Sequence, residues 1–184
     1  MRWLILHARS RQAPTSAAAV TLVALAAWVF NPDVGMAPQV LTAMVAAASI
    51  GLGGWDAALE RTAAIRWMPR RAAHVLLIGA VTGAALLAVQ AAGAKLAPTE
   101  VVLRDSAGLV GLAALGAVLC GAHFAWTLPT AWLAFTLVSP PLGGTAGEVA
   151  SWLIFPPGTA ASAWTALALL ATGTVLYAVA GPRR

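Results

Sequence analysis

The polar residues that could bind a soluble partner are concentrated in one stretch, residues 55–74, which is the longest polar interruption of an otherwise apolar sequence. This stretch holds four of the chain's eleven Lys and Arg residues, together with two carboxylates. Its candidate docking residues are Asp56, Glu60, Arg61, Arg66, Trp67, Arg70 and Arg71. Charged side chains of both signs on one segment can form the complementary pairs of a protein–protein contact. We therefore predict that residues 55–71, the docking segment, bind a soluble partner.

The composition places the rest of the chain in a membrane. Of its 184 residues, 60% are hydrophobic and only 9% are charged, whereas soluble domains carry about 25% charged residues. The net charge of +5 does not indicate nucleic-acid binding, because the basic residues flank apolar runs and form no separate basic domain. The sequence predicts an integral membrane protein whose surroundings are a lipid bilayer, with no nucleic-acid partner.

The sequence lacks the common catalytic and nucleotide-binding motifs. It has no Gly-Xaa-Ser-Xaa-Gly elbow, no histidine pair or carboxylate cluster with metal-ligand spacing, and no GxxxxGK[ST] phosphate loop. Its single cysteine, Cys120, excludes a disulfide framework within one chain. We therefore expect no enzyme activity, no metal site and no cofactor site in this chain.

Ionisable residues inside a membrane usually mark proton relays or ion sites. The predicted span centres contain none, since Arg104, Asp105 and His123 all fall near predicted span ends. Gln39 and Gln90 are the polar side chains closest to the spans, and amides do not carry protons. This pattern argues against a proton-coupled carrier.

The apolar runs predict an all-α, polytopic membrane protein with about six transmembrane helices. The predicted spans are residues 15–30, 38–55, 72–93, 106–126, 130–138 and 162–180. The fifth is too short to cross about 30 Å of hydrocarbon unless it begins near residue 124 or continues past residue 140. Gly79 and Gly83 in the third span have the GxxxG spacing, which either permits close helix contact or arises by chance in a span rich in Gly and Ala.

The basic residues predict the orientation of these spans. With both termini cytoplasmic, nine basic residues lie inside and only Lys95 and Arg104 lie outside, which is the asymmetry that membrane insertion favours. The predicted organisation is one transmembrane domain, residues 1–184. Residues 1–14 are either an interfacial segment or an ordinary basic tail. Residues 139–161, bounded by proline pairs, are either an extracellular re-entrant segment or an outer loop with a tryptophan anchor.

The docking segment has a weak helical pattern of its own. Leu59, Ala63 and Trp67 recur every four residues and so share one helix face. Pro69 is expected to end or bend this helix. Arg70 and Arg71 would then stand at the start of the third span, where long basic side chains reach the interface.

Six short spans, a basic amphipathic N-terminal segment and a polar loop between spans two and three together resemble the ABC-2-type transporter permease family. The loop carries most of the resemblance, through the acidic–basic pair Glu60-Arg61 and the later Pro69-Arg70-Arg71. In that family this loop is a coupling helix that docks on a cytoplasmic ATPase, and residues 148–157 lie where its re-entrant helices occur. The resemblance covers the whole chain, which is short for the family.

The resemblance implies the membrane subunit of an ATP-binding-cassette exporter in the bacterial plasma membrane. ATP and magnesium would bind in the partner ATPase, and a second permease chain, identical or homologous, would complete the transporter. Two other functions fit the residues: a non-transporting structural or regulatory subunit of a larger complex, and a small secondary carrier. A neighbouring gene for a soluble protein with a phosphate-binding loop would favour the exporter.

Overall fold

The computed structural model describes residues 13–33, 35–52, 67–140 and 142–183. Within these ranges the chain is all-helical, with seven α-helices, two single 3-10 turns and no strand. The α-helices are α1 (Ala13–Phe30), α2 (Ala37–Ser49), α3 (Trp67–Ala91), α4 (Thr99–Leu119), α5 (Thr127–Val138), α6 (Gly144–Ala150) and α7 (Ala160–Ala180). The 3-10 turns are Ile50–Leu52 and Ala122–Phe124. The predicted all-α class is therefore confirmed for the described part of the chain.

Three of these helices, α3, α4 and α7, are long and apolar enough to cross a membrane. The helices α1 and α2 are apolar but shorter. The helix α5 has 12 residues and so rises only about 18 Å. A membrane protein is supported by the three long helices, and the number of six spans stays a prediction.

The helix α4 begins earlier than predicted, so two charged residues that were predicted to precede it lie inside it. It begins at Thr99 rather than at residue 106, with Pro98 in extended conformation at its N-cap. Proline suits a helix start because it lacks the N–H that would have no acceptor there. Arg104 and Asp105, predicted to lie in the connection before the span, are in fact inside α4. A charged pair is tolerated there because Arg104 and Asp105 bind each other, 2.8 Å apart.

Pro69 lies within the described part of α3, which covers Trp67 to Ala91. The helix that Pro69 was predicted to end or bend lies mostly outside the described residues. The described end of the docking segment, Trp67 to Arg71, belongs to α3.

The helix α4 is the centre of the bundle. Of the 18 residues in its most apolar stretch, 72% are buried inside the protein, compared with 39% for the equivalent stretch of α3 and 22% for that of α7. It packs against α2, α3, α5 and α7, and its contact with α7 is the most extensive in the described structure. This contact is close because Gly111 and Gly173 lie at the crossing, where a Cβ on Gly173 would be 3.0 Å from the Gly111 Cα.

The predicted GxxxG contact is found between α3 and α4 of the same chain. A Cβ on Gly79 would lie 2.9 Å from Cγ1 of Val110, and one on Gly83 would lie 3.0 Å from Oγ of Ser106. Side chains of α4 therefore occupy the space that these two glycines leave open, which is the use of small residues expected in membrane helices.

Contacts between distant residues define the two ends of the bundle. At one end, the Arg71 end, Leu52 contacts Tyr177 and Arg71 contacts Ala178. At the other end, the Arg104 end, the Gly35 N–H donates to the Leu96 carbonyl. The helices α3 and α7 therefore run in opposite directions, as do α3 and α4. The helices α2, α4 and α7 all finish at the Arg71 end.

Residues 142–159 form a cap over the Arg104 end, where a re-entrant or outer segment was predicted. The short helix α6 is followed by turns through residues 151–154. Trp152 and Leu153 are buried in the bundle, with exposures of 0% and 1%. The cap therefore contributes to the core instead of lying wholly on the surface.

Candidate functional site

The predicted docking residues divide into two groups. Asp56, Glu60, Arg61 and Arg66 lie outside the described residues. Trp67, Arg70 and Arg71 are described, and all three lie on the first turns of α3 at the Arg71 end. The structure therefore locates the carboxyl-terminal part of the docking segment and the helix to which it is joined.

Leu52, the last described residue before the docking segment, is fixed in place. Its side chain is fully buried, and its carbonyl oxygen accepts a 2.8 Å hydrogen bond from the hydroxyl of Tyr177. The neighbouring Gly51 carbonyl lies 3.0 Å from Nε2 of His74, on α3. The two residues that end the described chain before the docking segment, Gly51 and Leu52, therefore contact α3 and α7 respectively.

Arg71 joins the other side of the docking segment to the end of α7. Its guanidinium reaches to 3.5 Å from the Ala178 carbonyl oxygen. It also lies against Gly181, where a Cβ would be 2.8 Å from the nearest guanidinium nitrogen. Because the last carbonyls of a helix carry a partial negative charge, a cation is stabilised at this position.

Arg70 and Trp67 form a second local contact on α3. The guanidinium carbon of Arg70 lies 5.6 Å from the centroid of the Trp67 ring, within the range of a cation–π interaction. The indole N–H of Trp67 is buried and has no hydrogen-bond acceptor among the described residues. The Trp67 ring therefore contacts a basic side chain, and the indole N–H is a donor within the docking segment itself.

A further arginine lies at the same end of the bundle. Arg183 donates its backbone N–H to the Ala117 carbonyl at 3.0 Å, and its guanidinium lies 3.4 Å from the Leu119 carbonyl. Both acceptors are in the last turn of α4. The Arg71 end thus places arginines at the carboxyl ends of α4 and α7, where the helix dipoles favour positive charge.

Tyr177 and the contacts of Arg183 are two features of the Arg71 end that were not predicted from the sequence. Tyr177 is the only tyrosine of the chain, and it lies in an apolar span where its hydroxyl requires a partner once buried. That signal could have singled it out, although the acceptor on Leu52 is 125 residues away and has no sequence signature.

The Arg104 end holds a second polar cluster that the sequence did not reveal. Arg104 donates from Nε to Oδ1 of Asp105 at 2.8 Å and from its terminal nitrogens to the carbonyls of Leu153, Phe155 and Pro156. The side chain of Arg104 is 9% exposed and that of Asp105 is fully buried. Because α4 begins at Thr99, Arg104 and Asp105 lie in its first two turns, at the end of the bundle that the cap covers.

Between α3 and α4 the surface has an apolar groove with a volume of about 330 Å³. Gly79, Gly83, Leu103, Val110 and Leu170 contribute to its walls. The groove contains no charged side chain, so it has no group that could bind a substrate by charge.

No cluster of three or more potential metal ligands occurs in the described ranges. The two polar clusters differ in their contacts. The Arg71 end holds Arg70, Arg71 and Arg183, whereas at the Arg104 end Arg104 binds the cap.

Comparison of the chain with protein-family models, with curated proteins and with solved structures found no match.

Proposed function

We propose that this chain is the membrane subunit of an ATP-driven exporter and that residues 55–71 dock on a cytoplasmic ATPase. One observation carries the proposal: the chain on both sides of residues 53–66 is fastened to the carboxyl end of α7. Leu52 binds Tyr177, and Arg71 binds at Ala178. A force applied to the docking segment would therefore reach α7 directly.

The contact between α7 and α4 supplies a route from the docking segment into the bundle. The two backbones touch at Gly111 and Gly173, so neither helix can shift without the other adjusting. The helix α7 continues to the Arg104 end, where the Ser162 hydroxyl donates to the Glu148 carbonyl of α6 at 3.3 Å. One rigid helix would link the ATPase side to the opposite side of the membrane.

The charge distribution supports a cytoplasmic position for the Arg71 end. Arg70, Arg71 and Arg183 lie there, and basic residues next to membrane spans are retained in the cytoplasm. Both described termini belong to this end, because α1 begins and α7 finishes there. The proposed setting is the bacterial plasma membrane, with six spans and both chain termini inside.

A second permease chain is part of the proposal. The helix α7 leaves most of its apolar surface uncovered, including Trp164, Val175 and Val179. In a bilayer such a surface faces either lipid or another helix, and packing of apolar side chains contributes to helix association there. Cross-linking in native membranes should give a species that contains two permease chains, and a strictly monomeric permease in the intact complex would oppose the proposal.

Charge reversal in the docking segment tests the ATPase contact. In the double variant Glu60→Arg with Arg61→Glu, the composition is unchanged but any specific charge pairing is inverted. A partly buried charge pair at such a contact is worth about 2–5 kcal/mol when it is broken, so co-purification of the ATPase should fall while the chain still reaches the membrane.

The matched control is the exchange Lys95→Glu with Glu100→Lys. Both residues are exposed near the Arg104 end, away from the proposed ATPase contact. This control should retain the ATPase and its transport-linked ATP hydrolysis. Normal ATPase binding and normal transport in the Glu60 and Arg61 variant would leave the docking segment as a solvated loop and would refute the coupling assignment.

A further inference from the structure

The cap at the Arg104 end is tethered by side chains from three different helices. Arg104 of α4 binds the turn after α6. The indole N–H of Trp132 in α5 donates to the Ala150 carbonyl at 3.1 Å, and Ser162 of α7 binds the Glu148 carbonyl. All three tethers end on backbone carbonyls of the cap, so they depend on its position and not on its side chains.

Arg104 makes the strongest of these tethers. Its guanidinium lies 2.9 Å from the Phe155 carbonyl and 3.4 Å from the carbonyls of Leu153 and Pro156. Hydrogen bonds from a charged donor are stronger than neutral ones. The three acceptors span four residues of the turn, so one side chain fixes its shape. Asp105 holds the guanidinium in this direction by accepting from Nε.

Below Arg104, the cap inserts a large side chain into the bundle. The benzo ring of Trp152 lies directly on Gly108 of α4, in space that a Cβ at residue 108 would fill. Trp152 has 0% exposure, yet its indole N–H has no acceptor within the described ranges. Trp152 therefore gains from burial of its ring but loses the hydrogen bond that its N–H would make with water.

The cap has little stability of its own. The helix α6 has seven residues, well below the length at which an isolated helix is stable. Its position depends on the three tethers and on the burial of Trp152 and Leu153. A segment held in this way can open as a unit, because breaking the tether at Arg104 releases three carbonyls together.

We propose that the cap is a gate at the Arg104 end, that Trp152 is its plug and that the Arg104 guanidinium is its latch. Opening would lift Trp152 away from Gly108 and expose the buried Arg104–Asp105 pair to water. Closing would return the three carbonyls to Arg104, with Asp105 as the positioning residue. This inference does not depend on an ATPase partner, because the latch and the plug belong entirely to this chain.

Thiol labelling of the full-length chain in lipid nanodiscs, where both faces are accessible, tests the latch. The background is Cys120→Ser, and the reporter is Ser151→Cys, which is nearly isosteric at a site 8% exposed. Arg104→Gln should speed maleimide labelling of this reporter by at least about tenfold, because the guanidinium contacts are lost. Arg104→Lys should give a smaller increase, since one ammonium can pair with Asp105 but cannot span three carbonyls.

Two control reporters separate local opening from general loosening. Thr145→Cys, at an exposed position of α6, should react quickly with or without Arg104. Ala113→Cys, fully buried in the middle of α4, should stay slow in every Arg104 variant. Equal labelling of the Ser151→Cys reporter with Arg104, Lys and Gln would overturn the latch, as would a matching increase at residue 113.

Hydrogen exchange of the unmodified chain gives a test that needs no variant. The N–H groups of Ser151 and Ile154 donate to the Gly147 and Ser151 carbonyls. If the cap opens as a unit, these two amides should exchange at a common rate, at least about tenfold faster than the amides in the middle of α4. Exchange as slow as that of α4 would overturn the gate even if every Arg104 variant failed to accumulate.

Discussion

The hydroxyl of Tyr177, in the last turn of α7, donates a 2.8 Å hydrogen bond to the carbonyl oxygen of Leu52, the last described residue before the docking segment. Both residues are almost completely buried. A tyrosine hydroxyl that is buried in an apolar helix needs a hydrogen-bond partner. The Leu52 carbonyl is such a partner, and this bond joins the chain just before the docking segment to α7.

Removal of this hydroxyl should weaken the bundle. We expect Tyr177→Phe to lower stability by about 1 kcal/mol, because the buried hydrogen bond to the Leu52 carbonyl is lost. The measurement is thermal unfolding of the purified chain in one detergent. Thr165→Val is the control, since among the described residues the Thr165 hydroxyl bonds only to the Ala161 carbonyl of the same helix. An equal loss of stability in both variants would show that the contact between Tyr177 and Leu52 stabilises the protein no more than a hydrogen bond within one helix does.

The crossing of α4 and α7 should not tolerate a methyl group. In Gly173→Ala the new Cβ would overlap the Gly111 carbonyl oxygen and lie 3.0 Å from the Gly111 Cα, so the helices must separate. Overpacking of this kind costs about 1–3 kcal/mol. Gly143→Ala is the control, because a Cβ there meets nothing within 4 Å. Membrane accumulation and thermal unfolding should fall only for the Gly173 variant, and unaltered values there would contradict the close contact.

The two glutamines nearest the spans should respond in opposite ways to replacement by methionine. Oε1 of Gln90 accepts from the N–H groups of Leu96 and Ala97 at 3.3 and 2.9 Å, and so fixes the loop from α3 to α4. Gln90→Met should cost about 1–3 kcal/mol, because both donors lose their acceptor. Oε1 of Gln39 is buried without a donor in the described structure, so Gln39→Met should be neutral or stabilising. Thermal unfolding midpoints decide between these outcomes.

The orientation of the chain can be tested with single cysteines in a Cys120→Ser background, which is needed because Cys120 is exposed. A membrane-impermeant thiol reagent applied to intact cells should label Thr99→Cys and Thr145→Cys, whose native residues are exposed toward the Arg104 end. It should not label Ser10→Cys or Thr62→Cys, because basic segments remain inside. Labelling at residue 62 would reverse the proposed topology and remove the docking segment from the cytoplasm.

Local physics explains the features that could be predicted from sequence. The small fraction of charged residues indicates a membrane environment, and the apolar runs between proline and polar breaks predict the helices α1 and α7 to within a few residues. The close contact at Gly79 and Gly83 could also be predicted, because its spacing is local to one helix. That the basic segment of residues 55–71 stays in water is still a prediction.

Only the tertiary structure decides where Arg104 and Asp105 lie. From the sequence pattern, two adjacent charged residues predict that the membrane span begins after them. In the folded chain, Arg104 donates to three carbonyls about fifty residues later, so its buried guanidinium has acceptors that no local sequence pattern shows. The same holds for Tyr177, whose acceptor is 125 residues earlier, and for Gly111 and Gly173. Sequence alone determined which segments are apolar and helical, since that depends on neighbours along the chain, whereas the partners of buried polar groups were decided by packing between distant segments.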